Sequence, residues 1–132
     1  MPITALYAGL LALLYVVLAL RVIGVRRGAR IAIGDGGDAT LLRRIRVHAN
    51  FAEYVPLALV LVALAESLKS DPRLLHGFGM LLILGRLVHA FGVSQAKENF
   101  TLRVTGMMAT FTVLIGTGLV CIAGALRANF GF

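Results

Sequence analysis

Residues 1–20 read MPITALYAGLLALLYVVLAL, an apolar stretch with no charged side chain that ends at Arg21. As a helix it would cover about 30 Å, the thickness of the hydrocarbon layer of a bilayer. A cleaved signal peptide does not fit, because positive charge precedes the apolar core of a signal and here it follows. Residues 104–126 form a second uncharged stretch. The sequence therefore predicts a transmembrane helix near each end of the chain.

The middle of the chain carries two shorter neutral stretches, residues 54–65 and 74–85, which are too short to cross a bilayer alone. Each becomes long enough when its helix includes ionisable neighbours. The first helix must then contain Glu53, and the second must contain Arg86 and His89. We therefore expect two further transmembrane helices that differ from the outer two by carrying charge.

Turn-forming residues separate the two inner helices from their neighbours. Gly34-Asp35-Gly36-Gly37 precedes the first of them, and Ser70-Asp71-Pro72 stands between the two. The predicted fold class is an all-α membrane protein, a single four-helix transmembrane bundle over residues 1–132. Its helices are expected at about 2–27, 41–69, 73–94 and 102–126.

The composition excludes an ordinary soluble domain. Hydrophobic residues make up 59% of the 132-residue chain and charged residues only 14%, with a mean hydropathy of +0.91. A soluble domain of this size has too large a surface for its interior to hide so much apolar side chain. The composition is instead typical of a protein whose surface faces lipid.

The net charge of +7 comes largely from one loop. Seven of the 13 Lys and Arg residues lie between the first two apolar segments: Arg21, Arg26, Arg27, Arg30, Arg43, Arg44 and Arg46. Basic residues so placed favour contact with membrane lipids over nucleic acid. By the positive-inside rule, a multi-pass protein of the cell membrane would keep the 21–46 loop in the cytoplasm and both termini on the opposite side.

Cys121 is the only cysteine, so no intrachain disulfide can form. Neither His48 nor His89 has a cysteine or carboxylate at metal-ligand spacing, and we predict no metal site. Arg43 and Arg44 are expected to be solvated or to face lipid.

Ionisable side chains within a transmembrane helix usually face the bundle interior or a wet cavity, and they often mark a functional site. At 100° per residue, Arg46, Asn50 and Glu53 share one face of the second helix, and Tyr54 flanks that face. His48 points nearly the opposite way.

The third and fourth helices add further polar groups. Arg86, His89 and Val93 fall on one side of the third helix, and Arg103 begins the fourth at the depth where the second starts. Two interpretations follow from these residues. Arginines could bind the carboxylates of a small ligand, or Glu53 could pair with an arginine and only hold the bundle together.

Residues 46–56, RVHANFAEYVP, resemble the R-x-(H/Q)-x-N-x-x-E-x-x-P signature of the MAPEG family, membrane-associated proteins of eicosanoid and glutathione metabolism. Two shorter matches stand around it. Residues 22–27, VIGVRR, resemble the basic end of the family's first helix, and residues 85–87, GRL, followed by His89, resemble its third-helix motif. The excess of arginine over lysine favours a bacterial member.

The resemblance implies a homotrimer that binds glutathione as co-substrate between neighbouring subunits, near the cytoplasmic face. One subunit would contribute Arg46, Asn50, Glu53 and Tyr54, and the next Arg26 or Arg27 with His48. Arg86 and His89 would complete the binding site. Arg103, or Arg27, would be catalytic by stabilising the glutathione thiolate, since a nearby cation lowers the pKa of a thiol.

The activity so implied is that of a glutathione transferase or peroxidase acting on lipophilic electrophiles or lipid hydroperoxides that enter from the bilayer. The eicosanoid-synthesising members carry tyrosines where His89 and Val93 stand here. A noncatalytic lipid-binding or scaffold protein on the same fold is therefore the alternative. A proton-coupled exporter of four helices is disfavoured, because such proteins carry an essential carboxylate on the first helix, which is neutral here.

Overall fold

A computed structural model describes residues 1–131, and these form four α-helices without a strand. The helices are α1 (Pro2–Ala29), α2 (Ala39–Ser67), α3 (Pro72–Ser94) and α4 (Phe100–Phe130). Each is long and apolar enough to cross a membrane. The predicted fold class, a four-helix membrane bundle, is confirmed.

Local capping explains where three of the helices begin. The carboxylate of Asp38 accepts hydrogen bonds from the backbone N–H groups of Thr40 and Leu41 at 2.8 and 2.9 Å and so caps α2. Asp71 caps α3 by accepting from the Arg73 N–H at 2.8 Å. Asn99 caps α4 by accepting from the Leu102 N–H at 3.1 Å. These bonds satisfy donors that a helix leaves unpaired in its first turn.

Successive helices run in opposite directions, so the bundle has two distinct ends. The basic end contains the end of α1, the loop of residues 30–38, the start of α2 and the α3–α4 loop. The terminal end contains the start of α1, the α2–α3 turn and the end of α4. Helices α1 and α4 each contact α2 and α3. The two neutral helices therefore flank the two charged ones.

The bundle core comes from one face of each helix. From Val47 onward, the buried residues of α2 recur every three or four positions: Val47, Phe51, Val55, Ala58, Val62 and Ala65. Most of the large residues on the outer surface are apolar, among them Leu13, Ile115 and Leu119. This distribution fits a surface solvated by lipid, where helix packing depends on close contact rather than on hiding apolar groups from water.

Helices α3 and α4 pack most closely, through glycine. A Cβ atom added at Gly106 would lie 2.6 Å from the Gly85 carbonyl oxygen and 2.6 Å from the His89 backbone nitrogen. One added at Gly85 would lie 2.8 Å from the Ala109 Cβ. The two backbones therefore touch where a side chain would hold them apart, as small residues allow in membrane bundles.

Gly106→Ala should destabilise the bundle, because its methyl group would meet backbone atoms that cannot move aside. We expect a cost of about 1–3 kcal/mol, measured as a lower melting temperature in detergent. Gly118→Ala is the matched control, since nothing lies within 4 Å of a Cβ at that position of the same helix. Equal losses in both variants would contradict the close contact.

Helix α1 has no side-chain cap of its own and is capped from α2 instead. The Glu66 carboxylate accepts hydrogen bonds from the backbone N–H groups of Ile3 and Thr4, at 3.0 and 2.8 Å. It also accepts from the Thr4 hydroxyl at 2.6 Å. A carboxylate at a helix N-terminus is favourable in both hydrogen bonding and helix-dipole interaction. Glu66 therefore joins the first helix to the second at the terminal end.

Glu66→Ala should lower the melting temperature in detergent, because the first turn of α1 would lose three hydrogen bonds at once. Glu66→Gln keeps one acceptor oxygen and should lose less. Ser67→Ala serves as control, since the Ser67 hydroxyl only donates to the Leu64 carbonyl of its own helix. A Glu66→Ala variant as stable as Ser67→Ala would contradict the assigned cap.

Candidate functional site

A polar cleft opens at the basic end between α2, α3 and α4. Its volume is about 280 Å³, near the lower limit for pockets that bind small ligands, about 300 Å³. Eight residues line it: Leu42, Arg43, Arg46 and Asn50 of α2, His89 and Val93 of α3, Glu98 of the α3–α4 loop, and Arg103 of α4. Three guanidinium groups against one carboxylate leave the cleft positively charged.

Arg86 lies behind the cleft and is only 1% exposed. Its Nη2 donates to the Asn50 Oδ1 at 2.8 Å, and its Nη1 donates to the Thr110 hydroxyl at 3.2 Å. The Met107 sulfur is a weaker acceptor at 3.9 Å, and the Arg86 Nε has no partner. The acceptors of this buried cation are thus neutral, with no carboxylate among them.

The Arg86 hydrogen bond also determines what Asn50 offers to the cleft. Because the Asn50 carbonyl oxygen accepts from Arg86, its NH₂ group is left to face the cleft. Amide NH₂ and guanidinium groups are hydrogen-bond donors only. Together with Arg43, Arg46 and Arg103, Asn50 therefore makes the cleft a donor-lined site that suits an anionic ligand.

His89 forms part of the inner wall. It is 3% exposed, and its Nδ1 is buried without a hydrogen-bond partner. The contact with Gly106 holds its backbone against α4. A buried polar atom without a partner costs free energy, and such atoms often mark a place where a ligand or water binds.

Arg103 forms an ion pair at the mouth of the cleft. Its Nη1 lies 2.8 Å from the Glu98 Oε1, the only ion pair within residues 1–131, and half of the Arg103 side chain is exposed. Exposed pairs of this kind contribute little to stability. Gly92 lies close to the backbone nitrogen of Arg103. The Asn99 N–H donates to the Gly92 carbonyl at 3.0 Å. These contacts hold the α3–α4 loop against the cleft.

Glu53 and Tyr54 do not line the cleft. Glu53 is exposed on the outer side of α2 and makes no hydrogen bond or ion pair with any described residue. The alternative in which Glu53 pairs with Arg46 or Arg86 is therefore wrong for the single chain. Tyr54 packs edge-on against Phe111 of α4, with ring centroids 5.7 Å apart.

His48, Arg26 and Arg27 lie toward α1. The His48 ring stacks on Tyr15 at 4.6 Å between centroids, so it faces away from the cleft, as its helical angle predicts. The Arg26 Nη1 donates to the backbone carbonyls of Ala32 and Gly34, at 3.3 and 2.8 Å, and so orders the loop of residues 30–38. Arg27 is exposed beside it.

Sequence reasoning missed two charged cleft residues, Arg43 and Glu98. Arg43 was expected to be solvated or to face lipid, yet it is half-buried and its Nε is enclosed in protein. The signal was present, since Arg43 precedes Asn50 by seven residues and so shares its helix face. Glu98 comes from a loop whose path depends on the packing of α3 and α4. Arg44 is half-buried as well, and its Nη1 donates to the Arg21 carbonyl at 3.0 Å.

Comparison with known protein families shows which family the chain belongs to. The model of the MAPEG family matches residues 4–123, which include parts of all four helices and every residue of the cleft. The chain belongs to the MAPEG family. The resemblance carried by residues 46–56 is thereby confirmed.

Two curated relatives of this MAPEG chain are bacterial proteins, both named inner membrane protein YecN, from Escherichia coli strains K12 and O6:H1 (CFT073). Each is 38% identical over 113 residues, which cover 86% of this chain and 85% of the relative. Their name gives a location and no activity. With four spanning helices, the chain is a multi-pass protein of the cell membrane.

A double-mutant cycle tests the bond between Asn50 and Arg86. Asn50→Leu alone should destabilise the protein in detergent, because Arg86 would lose its shortest hydrogen bond. The same change in an Arg86→Met background should cost less. We expect a coupling of about 1 kcal/mol, within the range for polar pairs in membrane helices, which reaches about 1.7 kcal/mol. Additive effects would contradict the bond.

Proposed function

We propose that this protein binds glutathione in the cleft and uses it as a transferase or peroxidase toward lipophilic electrophiles or lipid hydroperoxides. The observation that carries the proposal is the donor-lined, positively charged cleft, backed by the buried Arg86, whose nearest acceptor is a neutral amide. A site of this kind favours a ligand with more than one carboxylate. Membership of MAPEG, a family that includes glutathione transferases and peroxidases, supports the choice.

Glutathione carries two carboxylates, one ammonium group and one thiol, which match the groups around the cleft. Arg43 and Arg46 can each bind a carboxylate through two parallel hydrogen bonds. Glu98 can accept from the ammonium group and release Arg103 from their exposed ion pair. Arg103 can then stabilise the thiolate, the nucleophilic form of the sulfur.

The chemistry begins with loss of the thiol proton to solvent at the cleft mouth. In the transferase reaction, the thiolate sulfur bonds to the electrophilic carbon and displaces the leaving group. In the peroxidase reaction, the thiolate sulfur bonds to the terminal peroxide oxygen, the O–O bond breaks, and the alcohol leaves after taking a proton from solvent. The thiol of a second glutathione then attacks the resulting sulfenic acid, which forms the disulfide and releases water. The exposed apolar surface beside the cleft suits a lipid-dissolved substrate.

The outer polar face of α2 supports assembly as a homotrimer. Glu53 is exposed on the outer side of this membrane-spanning helix, where an unpaired charge facing lipid is costly, and Arg46 is exposed beside it where it lines the cleft. A neighbouring subunit that covers this face would remove the cost. The end of its α1, with Arg26 and Arg27, is the basic segment available for a shared ligand site.

The depths of Arg26 and Arg46 along the bundle axis are compatible with a glutathione site shared between two subunits. Tyr15 stacks on both His48 and Phe51, so Arg26 lies level with about residue 38 of α2. At 1.5 Å per residue, Arg46 is then about 11 Å deeper. An extended tripeptide spans about 10 Å. The difference in depth is thus close to the length of glutathione, which supports a ligand that lies between Arg46 of one subunit and Arg26 or Arg27 of the next.

A noncatalytic lipid-binding protein on the same fold is the second candidate, and one observation favours it. An apolar groove of about 340 Å³ runs between α1 and α2. Small side chains at Ala8, Ala12 and Ala52 leave the space, and Tyr15 and Pro56 help to line it. Such a groove suits an acyl chain and needs no bound glutathione.

The test is a glutathione titration of the detergent-solubilised protein, beside turnover with a lipophilic aryl halide and a lipid hydroperoxide. Arg46→Ala should weaken binding about 10- to 100-fold, which corresponds to about 1.5–3 kcal/mol for a hydrogen-bonded charged group. Glu53→Ala should weaken it if the neighbouring subunit completes the site. Arg103→Ala should lower turnover more than affinity.

Arg73→Ala is the control, because Arg73 is exposed at the terminal end, outside the cleft. Wild-type binding in both Arg46→Ala and Glu53→Ala would rule out the assigned site. Binding without turnover of either substrate would leave a glutathione-binding protein and exclude the enzyme. Stabilisation by lipid and none by glutathione would favour the second candidate.

A further inference from the structure

A third cavity lies at the terminal end of the bundle, remote from the cleft. Its volume is about 420 Å³, and it lies between the α2–α3 turn and the last turns of α4. None of its lining residues belongs to the polar cleft or to the MAPEG signature of residues 46–56. A ligand bound in this cavity would therefore occupy a site distinct from the proposed glutathione site.

The cavity arises because α4 is longer than the hairpin beside it. Phe78 of α3 packs on Gly116 of α4, so Pro72, the first residue of α3, lies level with about residue 122. Helix α4 continues to Phe130 and therefore extends about 12 Å beyond α3. The α2–α3 turn lies beside this extension of α4. There the Leu68 side chain packs against Gly124.

The lining is apolar on its inner side and charged at its rim. Leu68, Leu74 and Val120 supply the apolar side, while Lys69 and Arg127 supply two cations. Lys69 has a left-handed backbone, with φ of 57°, where the chain leaves α2. Both cations are exposed and stand at helix ends, the depth at which phospholipid headgroups meet the hydrocarbon layer.

One carboxylate, that of Asp71, also lines the cavity. Its Oδ1 accepts from the Arg73 N–H and so caps α3. Two cations against this one carboxylate leave a net charge of +1, which complements a single phosphodiester. The apolar side, which points toward the hydrocarbon layer, gives a soluble anion nothing to contact and gives acyl chains a surface to lie on.

We propose that this cavity binds an anionic phospholipid of the leaflet at the terminal end, in a second ligand site of the protein. The phosphodiester lies between Lys69 and Arg127, and an acyl chain follows Leu74 and Val120 toward the bilayer centre. A cation near a charged membrane surface contributes about 1 kcal/mol to lipid binding, so loss of each cation should weaken retention about fivefold.

Native mass spectrometry of the detergent-solubilised chain tests this directly, with phosphatidylglycerol and phosphatidylcholine as probes. Wild type should retain phosphatidylglycerol in preference to phosphatidylcholine. The double variant Lys69→Gln, Arg127→Gln should retain it about 25-fold less well. Melting temperatures of all variants are measured first, since only folded variants are compared.

The double variant Arg73→Gln, Lys97→Gln is the matched control, because it removes the same charge from exposed residues outside the cavity. It should retain phosphatidylglycerol as wild type does. An equal loss of phosphatidylglycerol retention in both double variants would show only a general attraction of the anionic lipid to a basic protein. That result would overturn the proposed site. Displacement of the lipid by equimolar glycerol phosphate would show a soluble-anion site and overturn the assignment to phospholipid.

Discussion

The backbone contact between α3 and α4 at Gly85 and Gly106 determines much of what lies around it. With no side chain between the two helices, Arg86 is enclosed against Thr110 and Met107 of α4 and cannot reach water or headgroups. Its guanidinium must find acceptors inside the bundle, and Asn50 of α2 is the nearest. The glycines therefore specify a polar link between three helices as well as a close fit.

The same link explains the chemistry of the cleft. A structural tie between helices would pair the buried arginine with a carboxylate, since an ionised group in a low-dielectric interior is costly unless its charge is neutralised. Here the shortest bond of Arg86 goes to a neutral amide, and the amide is thereby turned with its donors toward the cleft. Three more arginines line that space. An anion bound there would interact favourably with all of them, and this is why the arrangement fits a ligand site better than a purely structural pairing.

Much of the fold could be predicted from the sequence, because transmembrane spans follow from the length and spacing of apolar stretches. Helical angles also placed Arg86, His89 and Val93 on one side of α3, and all three are buried. The angles could not say which side of α2 faces the interior. Glu53 shares a face with Arg46 and Asn50 by spacing alone, yet Glu53 lies outside the cleft that the other two line, since the buried side of α2 is defined by Val47, Phe51 and Val55.

Glu66 and Glu53 show how differently two carboxylates of one helix can be used. Glu66 accepts three hydrogen bonds from the start of α1, so its charge is satisfied within the chain. Glu53 has no such partner, and Arg46, two helical turns away, lies about 10 Å along the same face, too far for an ion pair. Arg46 lines the polar cleft, whereas the exposed Glu53 carboxylate on a membrane-spanning helix is costly unless something outside the single chain covers it. In the proposed trimer, a neighbouring subunit would cover Glu53 and a shared ligand would give Arg46 an anion to bind, whereas a monomer in lipid would leave the Glu53 charge without a partner.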